Sequence, residues 1–209
     1  MDVKAMIVDD HPVIRVGVRM LLQEEKFDIV AETGDGAEAV QMVREHAPQL
    51  LVLDIAMPML DGLEVLTRIG TYGLTTKVLI FTSQEPSFFA RRCMQAGAAG
   101  YVCKTGDFAE LRRAVRAIMS GYPFFPELPT SSVCRTDTEK SERLMIENLS
   151  NRELAILQQL ARGFSNKEIG DAMLLSNKTV STYKTRLAEK LEVRSVVYLA
   201  DFAKRNNLI

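Results

Sequence analysis

The sequence predicts an α/β protein, a five-stranded doubly wound parallel sheet over residues 1–121 followed by an all-α four-helix unit that contains a helix-turn-helix. Three observations carry this expectation. Five short apolar runs alternate with stretches of helical periodicity as far as Gly121, the signature of repeated strand-helix units. Three prolines, Pro123, Pro126 and Pro129, and a polar run from Ser131 to Glu139 then break the alternation, as a linker does. Beyond them only helical spacing remains.

The first apolar run, Val3 to Val8, reads as a strand. Pro12 suits the first turn of a helix, and Ile14, Val18, Leu21 and Leu22 keep helical spacing to about Gln23. A short strand from Phe27 to Ala31 leads to a Gly34-Asp35-Gly36 turn, after which Ala37, Val40, Met42 and Val43 follow helical spacing up to Pro48. Leu50 to Leu53 is an unbroken apolar run bounded by Pro48 and Pro58, the pattern of a strand covered on both faces. After Gly62 come a helix from Leu63 to Ile69, a strand from Val78 to Phe81, a helix from Ser87 to Gln95, a strand from Ala99 to Cys103 and a helix from Asp107 to about Ser120. These five units fit a sheet of order 2-1-3-4-5.

In such sheets chemistry gathers at the carboxyl ends of the strands. The first run ends in Asp9-Asp10, the third in Asp54, the fourth in Thr82-Ser83 and the fifth in Lys104. Adjacent carboxylates repel unless a cation intervenes, so Asp9, Asp10 and Asp54 suggest an oxygen-liganded divalent ion, for which Mg²⁺ fits best. A metal, a lysine and a hydroxyl around one carboxylate make a site for a phosphoryl group on Asp54.

These residues resemble those of the receiver domains of two-component response regulators. Asp9-Asp10, Asp54, Thr82, Tyr101 and Lys104 carry the resemblance, with Pro58 and Gly62 after the phosphoacceptor, and it spans about residues 1–121. Thr105 departs from the pattern, since many receivers have proline after the lysine. The resemblance implies a flavodoxin-like fold and phosphorylation of Asp54 by a sensor histidine kinase, directly or through a phosphorelay. It further implies Mg²⁺ held by Asp9, Asp10, Asp54 and the carbonyl of Ala56, with Thr82 and Lys104 on the phosphoryl oxygens. Thr82 and Tyr101 then form the switch that leads to a homodimer or to release of the basic domain.

Residues 122–145 read as the linker, with Leu144, Met145 and Ile146 as a short helical turn before the second domain. Residues 148–209 hold ten Lys and Arg against six Asp and Glu, a net of about +4, which leaves about −5 for the rest of a chain whose net charge is −1. A basic, strand-free half suggests a helical nucleic-acid binder. Ser150 and Glu153 form a capping box that opens a helix with Leu154, Leu157, Leu160 and Ala161 on its core face, and Gly163 ends it. Ser165 caps a second helix, Asn166 to Met173; after the turn Leu174-Leu175-Ser176 a third runs from about Asn177 to Leu191, and a fourth from Ser195 to Arg205. The third keeps Val180, Tyr183, Leu187 and Leu191 on its apolar stripe, which leaves Lys178, Thr179, Ser181, Thr182, Lys184, Thr185 and Arg186 for solvent or DNA. No acid occurs between Asn177 and Ala188.

This half resembles the DNA-binding domain of LuxR-type regulators over roughly residues 146–209, through Leu149-Ser150-Asn151-Arg152-Glu153, Gly163, Asn166-Lys167-Glu168-Ile169 and Leu175-Ser176-Asn177-Lys178-Thr179-Val180. Receiver plus this domain is the NarL/FixJ class, and several segments, among them FARRCMQAGAAGYVCK and LSNKTVSTYKTRL, are similar to the Bvg-type virulence and adhesion regulators. The resemblance implies a transcription factor that binds promoter DNA as a dimer and works with RNA polymerase. Ser181, Thr182 and Thr185 would approach base edges, and Lys178, Thr179, Lys184 and Arg186 phosphates.

Other classes fare less well. A phosphatase turning over Asp54 would want a second acid two residues on, where Ala56 stands. The alternative left open is a phosphorylation-independent DNA-binding regulator with a vestigial receiver. No apolar run approaches the roughly 18 residues of a membrane span, and a strand begins within three residues of Met1, so the expectation is a cytoplasmic protein without a signal peptide. Cys93, Cys103 and Cys134 lack metal-ligand spacing and read as reduced thiols; His11 and His46 stand apart, so no zinc site is expected.

Overall fold

Leu50–Leu53 forms β3, the central strand, and all four of its side chains are buried. The computed structural model describes residues 3–57, 62–104, 107–127, 137–206 and 208–209, in two units, residues 1–128 and 129–209. Pro58, Thr105 and Cys134 lie outside the described residues. In the first unit β1 (Val3–Val8), β2 (Phe27–Thr33), β3, β4 (Lys77–Thr82) and β5 (Gly100–Cys103) pair in parallel in the order β2-β1-β3-β4-β5. The helices between and after them are α1 (Pro12–Glu24), α2 (Gly36–His46), α3 (Gly62–Thr71), α4 (Pro86–Gln95) and α5 (Phe108–Met119).

Strand alternation assigns the two faces. Ala5, Ile7, Leu50, Val52, Leu79, Phe81 and Val102 pack with Val18, Leu21 and Leu22 of α1 and with Leu111, Ala114, Val115 and Ile118 of α5. Period two sends Met6, Val8, Leu51, Leu53, Ile80 and Tyr101 to the opposite face, where all are buried. Right-handed crossovers place α2, α3 and α4 over that face. The order reverses between β1 and β3, the place where an open sheet leaves a crevice at its carboxyl edge.

Register then brings the strand ends together. Val8 pairs with Leu53, Leu53 with Ile80, and Thr82 with Cys103. Backbone bonds continue one step past the strands: Asp9 N–H to the Thr33 carbonyl at 3.1 Å, Asp54 N–H to Val8 at 2.8 Å and Lys104 N–H to Thr82 at 2.7 Å. Gly62 lets α3 begin hard against this edge, since a Cβ there would lie 2.5 Å from the Asp54 carbonyl oxygen and 2.6 Å from Ile55 Cα.

The chain does not leave the sheet at residue 122. Phe124 accepts from the Tyr101 N–H at 2.7 Å and donates to the Ala99 carbonyl at 3.1 Å, and its side chain packs on the α1–α5 side of the core. It thereby covers part of the edge of β5, which would otherwise present unpaired backbone groups. Pro123 and Pro126 flank it and favour the extended backbone that such an addition needs.

The second unit holds five helices among the described residues: α6 (Asp137–Glu147), α7 (Asn151–Ala161), α8 (Asn166–Met173), α9 (Asn177–Lys190) and α10 (Val196–Arg205). Helix α6 lies mostly where the sequence suggested linker, and it extends well beyond the single turn expected at Leu144 to Ile146. Its Glu142 carboxylate binds the Arg205 guanidinium at 2.6 Å and the Asn206 amide at 2.7 Å, so partners at the end of α10 hold it. The Arg205 hydrogen bonds keep the Glu142 carboxyl below the usual range. Ile146, Leu149, Leu154, Ile156, Leu157, Leu160, Ile169, Val180, Leu187, Leu191, Leu199, Phe202 and Leu208 are buried. Capping boxes open α7 (Ser150, Glu153) and α8 (Ser165, Glu168). Gly163 follows α7 at φ +91, where a side chain would be strained. Leu174 takes the left-handed turn position after α8.

Candidate functional site

The strand-end groups read from the sequence converge. Lys104, reached through β5, puts its ammonium 2.5 Å from Asp54 Oδ2 and 2.7 Å from Asp9 Oδ2. The other oxygen of each carboxylate accepts a backbone N–H: Asp54 Oδ1 from Ala56 at 2.8 Å, Asp9 Oδ1 from His11 at 2.9 Å. Asp9 and Asp54 are both buried, at 2% and 1% exposure. Asp10 Oδ1 is buried without a donor in hydrogen-bond geometry, although His11 Nδ1 lies 2.7 Å away. That contact is a hydrogen bond only when Nδ1 carries a proton.

Electrostatically the cluster is unbalanced: three carboxylates gather here, and the Lys104 ammonium contacts two of them, Asp54 and Asp9. Burial works against the Lys104 charge, but Asp54 and then Asp9 outweigh it and raise its pKa. Burial also pushes the Asp9 carboxyl up, against the hydrogen bonds from Lys104 and His11. One lysine therefore leaves negative charge that a divalent cation would relieve. Ligand atoms of Asp9, Asp10, His11 and Asp54 all lie within 4.8 Å of one another. The orphaned Asp10 oxygen and a set of hard carboxylate donors fit Mg²⁺.

Thr82 and Tyr101 stand beside this cluster. Thr82 is fully buried, and its hydroxyl is 3.4 Å from the Gln84 N–H. Tyr101 is buried, donating its hydroxyl to the Gln84 carbonyl at 2.8 Å, and burial raises its pKa far above the ordinary tyrosine value. Gln84 thus touches both residues, a role invisible in the sequence because backbone atoms perform it. Arg15 was missed too: its guanidinium donates to the Asp9 carbonyl at 2.7 Å. Its place in the first turn of α1, directly after Asp9-Asp10, was the available signal.

On α9 the seven candidate residues do not form one uniform face. Lys178, Ser181, Thr182, Thr185 and Arg186 are exposed, whereas Thr179 and Lys184 are half-buried. The Thr179 backbone N–H donates to the capping Ser176 hydroxyl at 3.0 Å. Thr182 and Thr185 donate their hydroxyls back to the carbonyls of Lys178 and Ser181 at 3.1 and 3.3 Å, which leaves a methyl and oxygen lone pairs outward. Ser181 and Lys184 instead turn toward Asn166 of α8.

An α/β unit with an acid–lysine cluster at its switch point, followed by a capped helix-turn-helix, defines a receiver-type regulator. Residues 5–116 match the family model of the response regulator receiver domain, and residues 147–203 that of the bacterial regulatory proteins of the luxR family. The chain belongs to the response regulators of transcription that join these two domains. It is 52% identical over 205 residues to the virulence-factor transcription regulator BvgA of Bordetella pertussis, covering 98% of each chain. It is 40% identical to the Fimbriae Z protein of Escherichia coli, over 98% of this chain and 97% of the other. Among solved structures, the RcsB response regulator of Salmonella typhimurium shares the fold with a TM-score of 0.77 at 24% identity, over 99% of this chain and 98% of that one. The receiver domain of NarL from Mycobacterium tuberculosis matches at 0.54 and 33% identity, over 57% of this chain and 98% of that one. Among the described residues no helix is long and apolar enough to cross a membrane.

Proposed function

We propose that Asp54 is the phosphoacceptor of a cytoplasmic two-component system and that its phosphorylation controls promoter binding by α9. The observation that carries this reading is the Lys104 ammonium seated between two buried carboxylates, Asp54 and Asp9, at the mouth of the sheet. An Asp54 carboxylate oxygen attacks the phosphorus of a phosphohistidine on the partner kinase; an O–P bond forms as the N–P bond breaks, and the leaving imidazole takes a proton from water to depart neutral. Asp9, Asp10, Asp54 and the Ala56 carbonyl would hold Mg²⁺, which supplies charge neutralisation for the phosphoryl oxygens. Lys104 exchanges its contact with Asp54 for a phosphoryl oxygen, and the Thr82 hydroxyl takes another. The chain acts once per phosphoryl group as a switch, without turnover on a small substrate.

Drawing Thr82 toward the phosphoryl group alters its contact with Gln84, and with it the seat of the Tyr101 hydroxyl. Two packings of this region differ in stability, and phosphoryl contacts bias them toward the state that dimerises. The dimer places each α9 in a major groove of promoter DNA, where it works with RNA polymerase. Ser181, Thr182 and Thr185 approach base edges; Lys178, Thr179, Lys184 and Arg186 meet phosphates.

Binding titrations of the full chain at several salt concentrations test the α9 assignment. Lys184→Ala and Arg186→Ala should weaken binding to every sequence and reduce the salt slope by about one per phosphate contact per subunit. Thr182→Ala should leave the slope nearly unchanged while costing about 1–3 kcal/mol at one operator position. Parent-like affinity in all three variants would reject α9 as the DNA-contacting helix.

A further inference from the structure

We propose that Asn166, the first residue of α8, is a positioning residue for DNA binding, which holds Lys184 and Ser181 of α9 in the orientation that meets DNA. The inference rests on the reading of α9 as the DNA-contacting helix and adds to it a residue from the preceding helix. Asn166 donates its amide N–H to Ser181 Oγ at 3.0 Å and accepts from Lys184 Nζ at 2.8 Å on its amide oxygen. An ammonium has no acceptor to offer, so the lysine fixes which end of the amide faces it. The two partners lie three residues apart on α9, on one side of the helix, and a single planar group spans both.

The base of this clamp is itself fixed. Ser165 and Glu168 close a capping box around the start of α8, with the Ser165 N–H 2.7 Å from the Glu168 carboxylate and the Glu168 N–H 3.3 Å from the Ser165 hydroxyl. Gly170 lets the turn after α8 close, since a Cβ there would lie 2.7 Å from the Leu175 carbonyl oxygen. An exposed lysine ordinarily loses much rotamer freedom when it engages a phosphate. Here that freedom is already restricted in the unbound chain, which lowers the entropic cost of the contact.

The chemistry of the acceptor matters as much as its place. A carboxylate at this position would pair with Lys184 and cancel the charge that DNA attracts. The neutral amide steers the ammonium while leaving its charge intact, and two of its three N–H donors remain for phosphate. Asn166 thus separates holding the lysine from neutralising it.

Titration of the full chain with mixed-sequence double-stranded DNA at several salt concentrations tests this. Asn166→Ala should bind about 3- to 10-fold more weakly, the order expected from releasing one long side chain, with the parent's salt slope because no charge is lost. Combined with Lys184→Ala, it should add little beyond Lys184→Ala alone, since both act on one contact. Asn166→Asp should bind weakly and with the reduced slope of Lys184→Ala, a result that a purely structural role would not produce. If Asn166→Ala fails to fold, the slope of Asn166→Asp decides the matter. Parent-like binding by either variant, or full additivity with Lys184→Ala, overturns the positioning role while leaving α9 in place. Parent-like binding by Lys184→Ala removes the reading on which the proposal stands.

Discussion

Asp54→Asn should abolish acid-labile, Mg²⁺-dependent labelling by acetyl phosphate, with signal falling to background and the fold retained. Asparagine is nearly isosteric, and its amide oxygen can still accept from Lys104 or from the Ala56 N–H, the two contacts that hold Asp54 in place. What it lacks is a carboxylate oxygen able to form the acyl phosphate. Asp9 and Asp10 remain in the variant, so it also asks whether a neighbouring acid can substitute. Asp9 is pinned by Lys104 and the His11 N–H, and Asp10 is proposed as a cation ligand, so neither should be labelled. Equal labelling of Asp54→Asn would move the chemistry to another residue, and labelling that persists in chelator would remove the metal from it.

Lys104→Met should give the largest change in stability, and one that depends on divalent cation. The substitution keeps an unbranched side chain of similar reach but leaves Asp9 and Asp54, both buried, without their ammonium. Removing one partner from a buried ion pair costs about 3–5 kcal/mol. In chelator, urea unfolding of the full chain should therefore show the first unit destabilised by roughly that amount, with the transition of the second unit unmoved. Adding Mg²⁺ should recover a large part of the loss, because a dication between the carboxylates replaces the missing positive charge. A loss of equal size with and without Mg²⁺ would mean that the metal and the lysine do not serve the same carboxylates.

Much of this architecture was legible because it depends on local signals. Leu50–Leu53 could be read as a fully covered strand from four consecutive apolar residues between prolines, and the residues that follow each strand then had to meet at one edge. Ser150 with Glu153, and Ser165 as a cap, mark their helix starts locally, and the structure completes the second box with Glu168. What escaped depends on partners distant in sequence. Helix α6 is polar, and Glu142 finds Arg205 63 residues away, so its own composition resembled linker. Phe124 joins the sheet through backbone bonds to Ala99 and Tyr101 and a core contact; the flanking prolines favour extended backbone there but do not say which strand it meets. The spacing of α9 left Lys184 for solvent or DNA, whereas Lys184 is half-buried and tied to Asn166; periodicity within one helix cannot reveal a hydrogen bond to another.

The coupling of Asp54 to α9 is the central claim, and one comparison tests it most directly: the affinity of the full chain for promoter DNA at fixed salt, with and without acetyl phosphate and Mg²⁺, for the parent and for Asp54→Asn. Phosphodonor should tighten binding by the parent about tenfold or more, a coupling of about 1.4 kcal/mol or above, and leave Asp54→Asn unchanged. Equal affinity of the parent in both conditions, with Asp54 shown to be labelled, would contradict this claim and leave a DNA-binding protein whose receiver does not control it.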